Sequence, residues 1–160
     1  MVGPQARAAR LGAATNLYPQ QHMVSAAERS MRNGHRGAVI WLTGLSASGK
    51  STLAMVVERR LFAAGAQAYV LDGDNVRAGL SRDLGFSSED RTENIRRVGE
   101  VAALFADAGV IVITAFISPF RTDRDTARAA AAGLFHEVYL NADVATCEAR
   151  DPKGLYQRAR

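Results

Sequence analysis

Gly44-Leu45-Ser46-Ala47-Ser48-Gly49-Lys50-Ser51 satisfies the spacing G-x-x-x-x-G-K-[ST] at every fixed position, and Thr52 follows. Residues in this pattern hold phosphate. The glycines let main-chain N–H groups turn inward around an anion, and a helix that follows adds the positive end of its dipole. Lys50 then reaches the β- and γ-phosphates of a nucleoside triphosphate, and the Ser51 hydroxyl ligates Mg²⁺. A Gly/Ser-rich turn with an exposed lysine would carry the same letters, so the flanks decide. Before the motif runs Ala38-Val39-Ile40-Trp41-Leu42-Thr43, which reads as a buried strand. After it, Thr52 to Ala64 carries Leu53, Val56, Val57 and Leu61 at helical spacing. A strand, a tight loop and a helix are the context that the motif requires.

Further polar clusters follow the other strand-like segments. Ala68-Tyr69-Val70-Leu71-Asp72 leads into Gly73-Asp74-Asn75-Val76-Arg77. One of the two carboxylates, Asp72 or Asp74, can hold Mg²⁺ directly or through water. The other can accept the proton of an attacking hydroxyl or simply orient it, and since phosphoryl transfer depends mostly on positioning and charge stabilisation, either role fits. The plainer reading of Asp-Gly-Asp-Asn is a helix-capping turn. Next, Arg91, Asn94 and Arg97 recur at i, i+3 and i+6, read as roughly one helix face, behind Leu84-Gly85-Phe86. Arginine clamps phosphate or sulfate through its planar fork, and Phe86 can stack on a purine. Ordinary surface arginines and a core phenylalanine are the competing view. Ile117-Ser118-Pro119-Phe120 closes the third strand, with Ser118 read as a ligand-facing hydroxyl or a helix cap and Phe120 as a packing residue. Arg150-Asp151-Pro152-Lys153-Gly154-Leu155-Tyr156 reads as the start of a mobile lid or as a solvated tail.

The elements that must position these groups alternate. Strands are expected over 38–43, 68–72, 110–116 (VIVITAF) and 137–140. Helices are expected over 25–32, 52–64, from Ser87 through Ala108, over 122–132 and over 144–149, with Ser25 and Ser87 as N-caps. Apolar strands between helices imply a parallel α/β sheet covered on both faces. Its ligands belong at the carboxyl ends of the strands, where these clusters lie.

The chain has 160 residues, net charge +4, 48% hydrophobic and 22% charged residues. These values suit one globular domain and equally a site for polyanions or a solvated basic surface. No apolar run approaches the roughly 18 residues of a membrane-spanning helix. Cys147 is the single cysteine, so no internal disulfide forms, and a reducing, cytoplasmic setting is expected. His22, His35 and His136 are scattered and build no zinc site with it. No basic run with interleaved aromatics points to nucleic acid. Residues 1–24 read as a flexible leader or linker, basic and free of acidic residues over the first 22 but too poor in serine for a good transit peptide.

The segments GLSASGKST, LDGDNVRAGLSRDLGFSSEDRTENIRRVGEVAALFADAGV, ITAFISPFR and RDPKGLYQRAR resemble the adenylylsulfate (APS) kinase family from about His35 to Arg160. The resemblance implies a P-loop fold with a three-layer α/β/α arrangement over 25–160. It also implies ATP-dependent phosphorylation of the 3′-hydroxyl of adenosine 5′-phosphosulfate (APS), giving 3′-phosphoadenylylsulfate (PAPS) and ADP in sulfate assimilation. ATP would lie on Gly44, Leu45, Ser46, Ala47, Ser48, Gly49, Lys50, Ser51 and Thr52. Mg²⁺ would be held by Ser51 and Asp72. APS would meet Asp74, Arg77, Phe86, Arg91, Asn94, Ile117, Ser118 and Lys153, with Lys50, Asp74 and Ser118 nearest the chemistry. Family members continue with a longer lid, a last strand and a helix, so the domain is expected to be C-terminally incomplete at Arg160. A homodimer with contacts over 20–36, and fusion or association with ATP sulfurylase, are further implications. Another small-acceptor kinase (for a nucleoside or shikimate) and a nucleotide-binding remnant without turnover are the alternatives.

Overall fold

The computed structural model describes residues 18, 20–151 and 154–159. Four strands, β1 (Ala38–Thr43), β2 (Ala68–Asp72), β3 (Ile111–Ala115) and β4 (Phe135–Tyr139), form one parallel sheet in the order β2-β3-β1-β4. The helices are α1 (Ala26–Asn33), α2 (Lys50–Ala63), α3 (Gly73–Ala78), α4 (Ser88–Asp107), α5 (Arg121–Ala130), α6 (Val144–Arg150) and α7 (Leu155–Ala159). Parallel neighbours need crossover connections, and helices supply them. The expected α/β fold is the observed one.

Local signals set most boundaries. Ser25 caps α1 in a full capping box with Glu28, and Ser87 caps α4 by accepting from the Asp90 amide. The short helix α3 was not among the expected helices, but it follows the turn whose plainer reading was a helix cap. Its N-cap is Asp72, whose Oδ1 accepts from the Asp74 amide at 3.0 Å. The last turn, α7, is likewise additional. Asp151 accepts from the Leu155 and Tyr156 amides, each at 2.8 Å.

The sheet is less uniformly covered than its apolar letters imply. Val39, Trp41 and Leu42 of β1 and Val112, Ile113, Thr114 and Ala115 of β3 are buried, but Val138 and Tyr139 of the edge strand β4 are exposed. Central strands have helices against both faces, whereas edge strands do not. On one side Trp41 stacks between Phe116 and Phe135, and Ile95, Val98 and Ala102 of α4 close over this group. On the other, Ala54, Val57 and Leu61 of α2 pack on Leu42 and Ile113. Leu53 and Val56, expected on the buried face of α2, are instead exposed. Helices α4 and α5 approach closely at Gly99, where a Cβ would come within 2.8 Å of the Ala127 side chain.

Register gathers the functional segments. Leu42 pairs with Ala115, Ala115 with Asp72, and Thr43 with Tyr139. All four strands therefore end level, and residues just beyond them share one edge of the sheet.

Candidate functional site

The loop after β1 turns through Gly44 into α2. Gly49 is the N-cap of α2 with φ +96°, a left-handed value that a side chain resists, and no side chain caps the helix. The amides of Lys50, Ser51 and Thr52 lie in the first turn, where helical N–H groups have no intrahelical acceptor. That is an anion-binding arrangement. Ala47 also has positive φ, +57°, so this loop holds a non-glycine residue in a strained conformation. Lys50 is buried, and its Nζ donates to the carbonyls of Gly44 at 3.0 Å and Leu45 at 2.6 Å. The ammonium thus lies folded into the loop it is expected to serve.

The next strand end meets this loop directly. Ser51 Oγ donates to Asp72 Oδ2 at 2.6 Å, joining the start of α2 to the end of β2. Asp72 therefore does two jobs: one oxygen caps α3 and the other faces Ser51. The helix-capping reading of Asp-Gly-Asp-Asn is the observed one. Hydroxyl and carboxylate oxygens at this junction suit a hard cation such as Mg²⁺. Among the described residues no group of three or more His, Cys, Asp or Glu could hold a metal ion. Asp74 follows in the first turn of α3 and is exposed.

The segment 79–87 and the start of α4 form a second wall. Phe86 is 71% exposed, and the Arg77 guanidinium lies 4.5 Å from its ring centroid. Arg77 Nη1 donates to the Gly85 carbonyl at 2.7 Å, and Arg91 Nε donates to the Phe86 carbonyl at 2.9 Å. Asn94 is 3% exposed, and its Oδ1 has no hydrogen-bond partner among the described residues. A buried amide oxygen left unpaired is costly unless something else donates to it. Arg97 does not continue the arginine face. It binds Asp83 through both guanidinium Nη atoms and Glu93 through Nε.

Ser118 is turned inward, its hydroxyl engaged by protein groups. It is 1% exposed, its Oγ accepts from Trp41 Nε1 at 3.0 Å, and it donates to Thr43 Oγ1 at 2.9 Å. It does not cap α5, since Phe120 is the N-cap. The hydroxyl braces the end of β3 against β1. Ile117 beside it is exposed, as alternation along an extended chain requires. Phe120 is also exposed, at 44%. Arg124 holds this turn from below, donating to the Ser118 carbonyl at 2.7 Å and to Glu137 at 2.7 Å.

Lys153 lies outside the described residues. Near it, Tyr156 Oη donates to the Ser46 carbonyl at 3.1 Å, tying α7 to the phosphate loop. Burial pushes the Tyr156 hydroxyl up from its ordinary pKa. Sequence reasoning missed this contact because the two residues are far apart in the chain. It also missed a cavity of about 610 Å³ beside the loop, lined by Gly49, Thr52, Leu53, Val56, Leu140 and Arg150. The unexpected exposure of Leu53 and Val56 is explained by this cavity.

A profile of the adenylylsulphate kinase family matches residues 36–160. The chain belongs to the adenylylsulphate kinase family. An adenylyl-sulfate kinase of Shewanella amazonensis is 58% identical over 141 residues, covering 88% of this chain and 71% of that protein. One from Bacillus licheniformis is 64% identical over 130 residues, covering 81% of this chain and 66% of that protein. The solved APS kinase CysC of Mycobacterium tuberculosis, in complex with AMPPNP and APS, superposes with TM-score 0.75 at 53% identity. That match covers 78% of this chain and 74% of the solved one. As a family member the chain is a kinase of the P-loop fold. No helix among its described residues is long and apolar enough to cross a membrane.

Proposed function

We propose that this APS-kinase-family chain transfers the γ-phosphoryl group of ATP to the 3′-hydroxyl of APS, giving PAPS and ADP for sulfate assimilation. The observation that carries the reading is the 2.6 Å contact of Ser51 with Asp72. It seats the phosphate loop against the turn bearing Asp74, so donor and acceptor share one edge of the sheet. The relatives named adenylyl-sulfate kinase and the solved APS complex support the choice of acceptor.

The first-turn amides of α2 and the Lys50 ammonium hold the triphosphate, and Lys50 moves from the loop carbonyls to the β- and γ-phosphates. Leu53, Val56 and Arg150 offer an apolar and cationic wall for the donor's base. Mg²⁺, held by the oxygens of Ser51 and Asp72, supplies charge neutralisation at the phosphates when bound. Asp74 orients the 3′-hydroxyl and takes its proton as the oxygen bonds to the γ-phosphorus and the bond to the β–γ bridging oxygen breaks. Phe86 stacks on the acceptor's adenine, Arg77 and Arg91 face its anionic groups, and Asn94 Oδ1 accepts a hydrogen bond from it. Ile117 and Lys153 complete the acceptor set. Ser118 holds the turn from within, with no covalent step.

The test is PAPS formation from ATP and APS, set against nucleosides and shikimate as acceptors. Lys50→Ala is expected to lower turnover by roughly 10²–10³-fold with the fold intact, the scale for losing one electrostatic stabiliser of a transition state. Nucleotide binding without transfer to any acceptor would refute the reading.

A further inference from the structure

Arg97 sits on α4 about one turn beyond Asn94, and its donors are engaged by protein groups. Nη1 and Nη2 donate to the two oxygens of Asp83 at 2.6 and 2.8 Å. Nη1 also reaches the Leu80 carbonyl at 3.1 Å, and Nε reaches Glu93 at 2.9 Å. Glu93 is held in turn by Arg96 at 2.6 and 2.8 Å. Asp83 and Leu80 belong to the segment between α3 and α4, and so do Gly85 and Phe86. That segment has no strand ladder to order it, and ordering backbone costs conformational entropy that other ties must offset. Phe86 is too exposed for packing to hold it. Polar ties must set its place: the Gly85 amide donates to Asp90 at 3.0 Å and Arg91 Nε to the Phe86 carbonyl at 2.9 Å, and among the described residues only the Arg97 fork joins the segment to α4 by a bidentate ion pair. Such pairs impose orientation, which a lysine ammonium cannot do.

We infer that Arg97, acting through Asp83, is a positioning residue for the acceptor. It fixes the 79–87 segment so that Phe86 and Arg77 meet the acceptor's base and anionic groups, and it touches no substrate itself. This role rests on the acceptor reading above. It separates the two substrates, because the clamp's hydrogen bonds among the described residues run within α4 and to the 79–87 segment.

The experiment measures initial rates with ATP and APS for the full chain and for Arg97→Gln, Arg97→Lys and Asp83→Asn. ADP affinity, melting temperature and amide exchange over 79–87 are measured alongside. A loosened acceptor wall should raise KM for APS about tenfold or more in all three variants, since a displacement of about 1 Å can cost that much. KM for ATP and ADP affinity should stay within about twofold, the signature of a loss confined to one substrate. Exchange over 79–87 should quicken. Arg97→Lys should fail like Arg97→Gln, because the fork is lost while the charge remains. An unshifted KM for APS, an equal rise for both substrates, or a fully active Arg97→Lys would each overturn the role. Should Arg97→Gln fail to fold, the more exposed Asp83→Asn decides. A wild-type chain without APS turnover sinks the acceptor reading and this role together. An active wild type with unshifted variants sinks this role alone.

Discussion

The proposed donor and acceptor sides of the site are built by different means. The donor side is nearly all main chain: first-turn amides, a left-handed Gly49 and one lysine, supplied by consecutive residues. The acceptor side is nearly all side chain, drawn from α3, the 79–87 segment, α4 and the turn after β3. It is held by ion pairs such as Arg97 with Asp83 and Arg124 with Glu137. A main-chain cradle is fixed by local conformation and tolerates changes around it. A side-chain wall depends on every tie between its pieces.

The comparison breaks most visibly at Asp74. Asp74→Asn should cut turnover by roughly 10²–10⁴-fold, the range for removing a general base, while nucleotide affinity holds. Equal loss of both would mean that Asp74 serves the donor side. Gly49→Val tests the cradle by forcing a β-branched residue to positive φ, at a cost of about 1–3 kcal/mol. Nucleotide titration should weaken, with the acceptor wall unchanged.

Ser118→Ala comes next. It leaves the buried Trp41 N–H without its acceptor, so urea unfolding should show a loss of about 1–3 kcal/mol. Turnover at saturating substrate should fall far less than for Asp74→Asn. A collapse of turnover to the Asp74→Asn level would restore a chemical role for that hydroxyl.

Acid probes the clamp. Hydrogen bonds from Arg96 and Arg97 hold Glu93 down at about 2 against an ordinary 4.5. A carboxyl depressed on folding contributes stability above its unfolded pKa and loses it as pH falls through the folded one. Melting temperature should therefore drop between about pH 4.5 and 2, and drop less steeply in Glu93→Gln. A parallel decline would remove Glu93 from the network's energetics. The smallest effect is expected at Thr114, fully buried in β3 with its hydroxyl unpartnered among the described residues. Thr114→Val should be neutral or stabilising by up to about 1 kcal/mol in the same urea experiment.

The strand, tight loop and helix of the proposed donor side were legible in the letters. The glycine spacing, the apolar run before it and the helix after it all report on neighbours in the chain. The parallel α/β order was legible for the same reason. Arg97 shows where such reading stops. Six residues along a helix turn about 600°, so Arg97 stands roughly 120° away from Arg91 and meets Asp83 instead. Leu53 and Val56 carried helical apolar spacing, yet they line an open cavity, because only one flank of α2 meets the sheet.

Eight consecutive residues between a strand and a helix suffice to specify a phosphate cradle, because backbone amides need only the right local torsions. Whether a serine after β3 faces substrate or Trp41, or an arginine on α4 grips an anion or Asp83, depends on groups tens of residues away. Those orientations were settled only when strands of level ends and two close-packed helices brought the partners together.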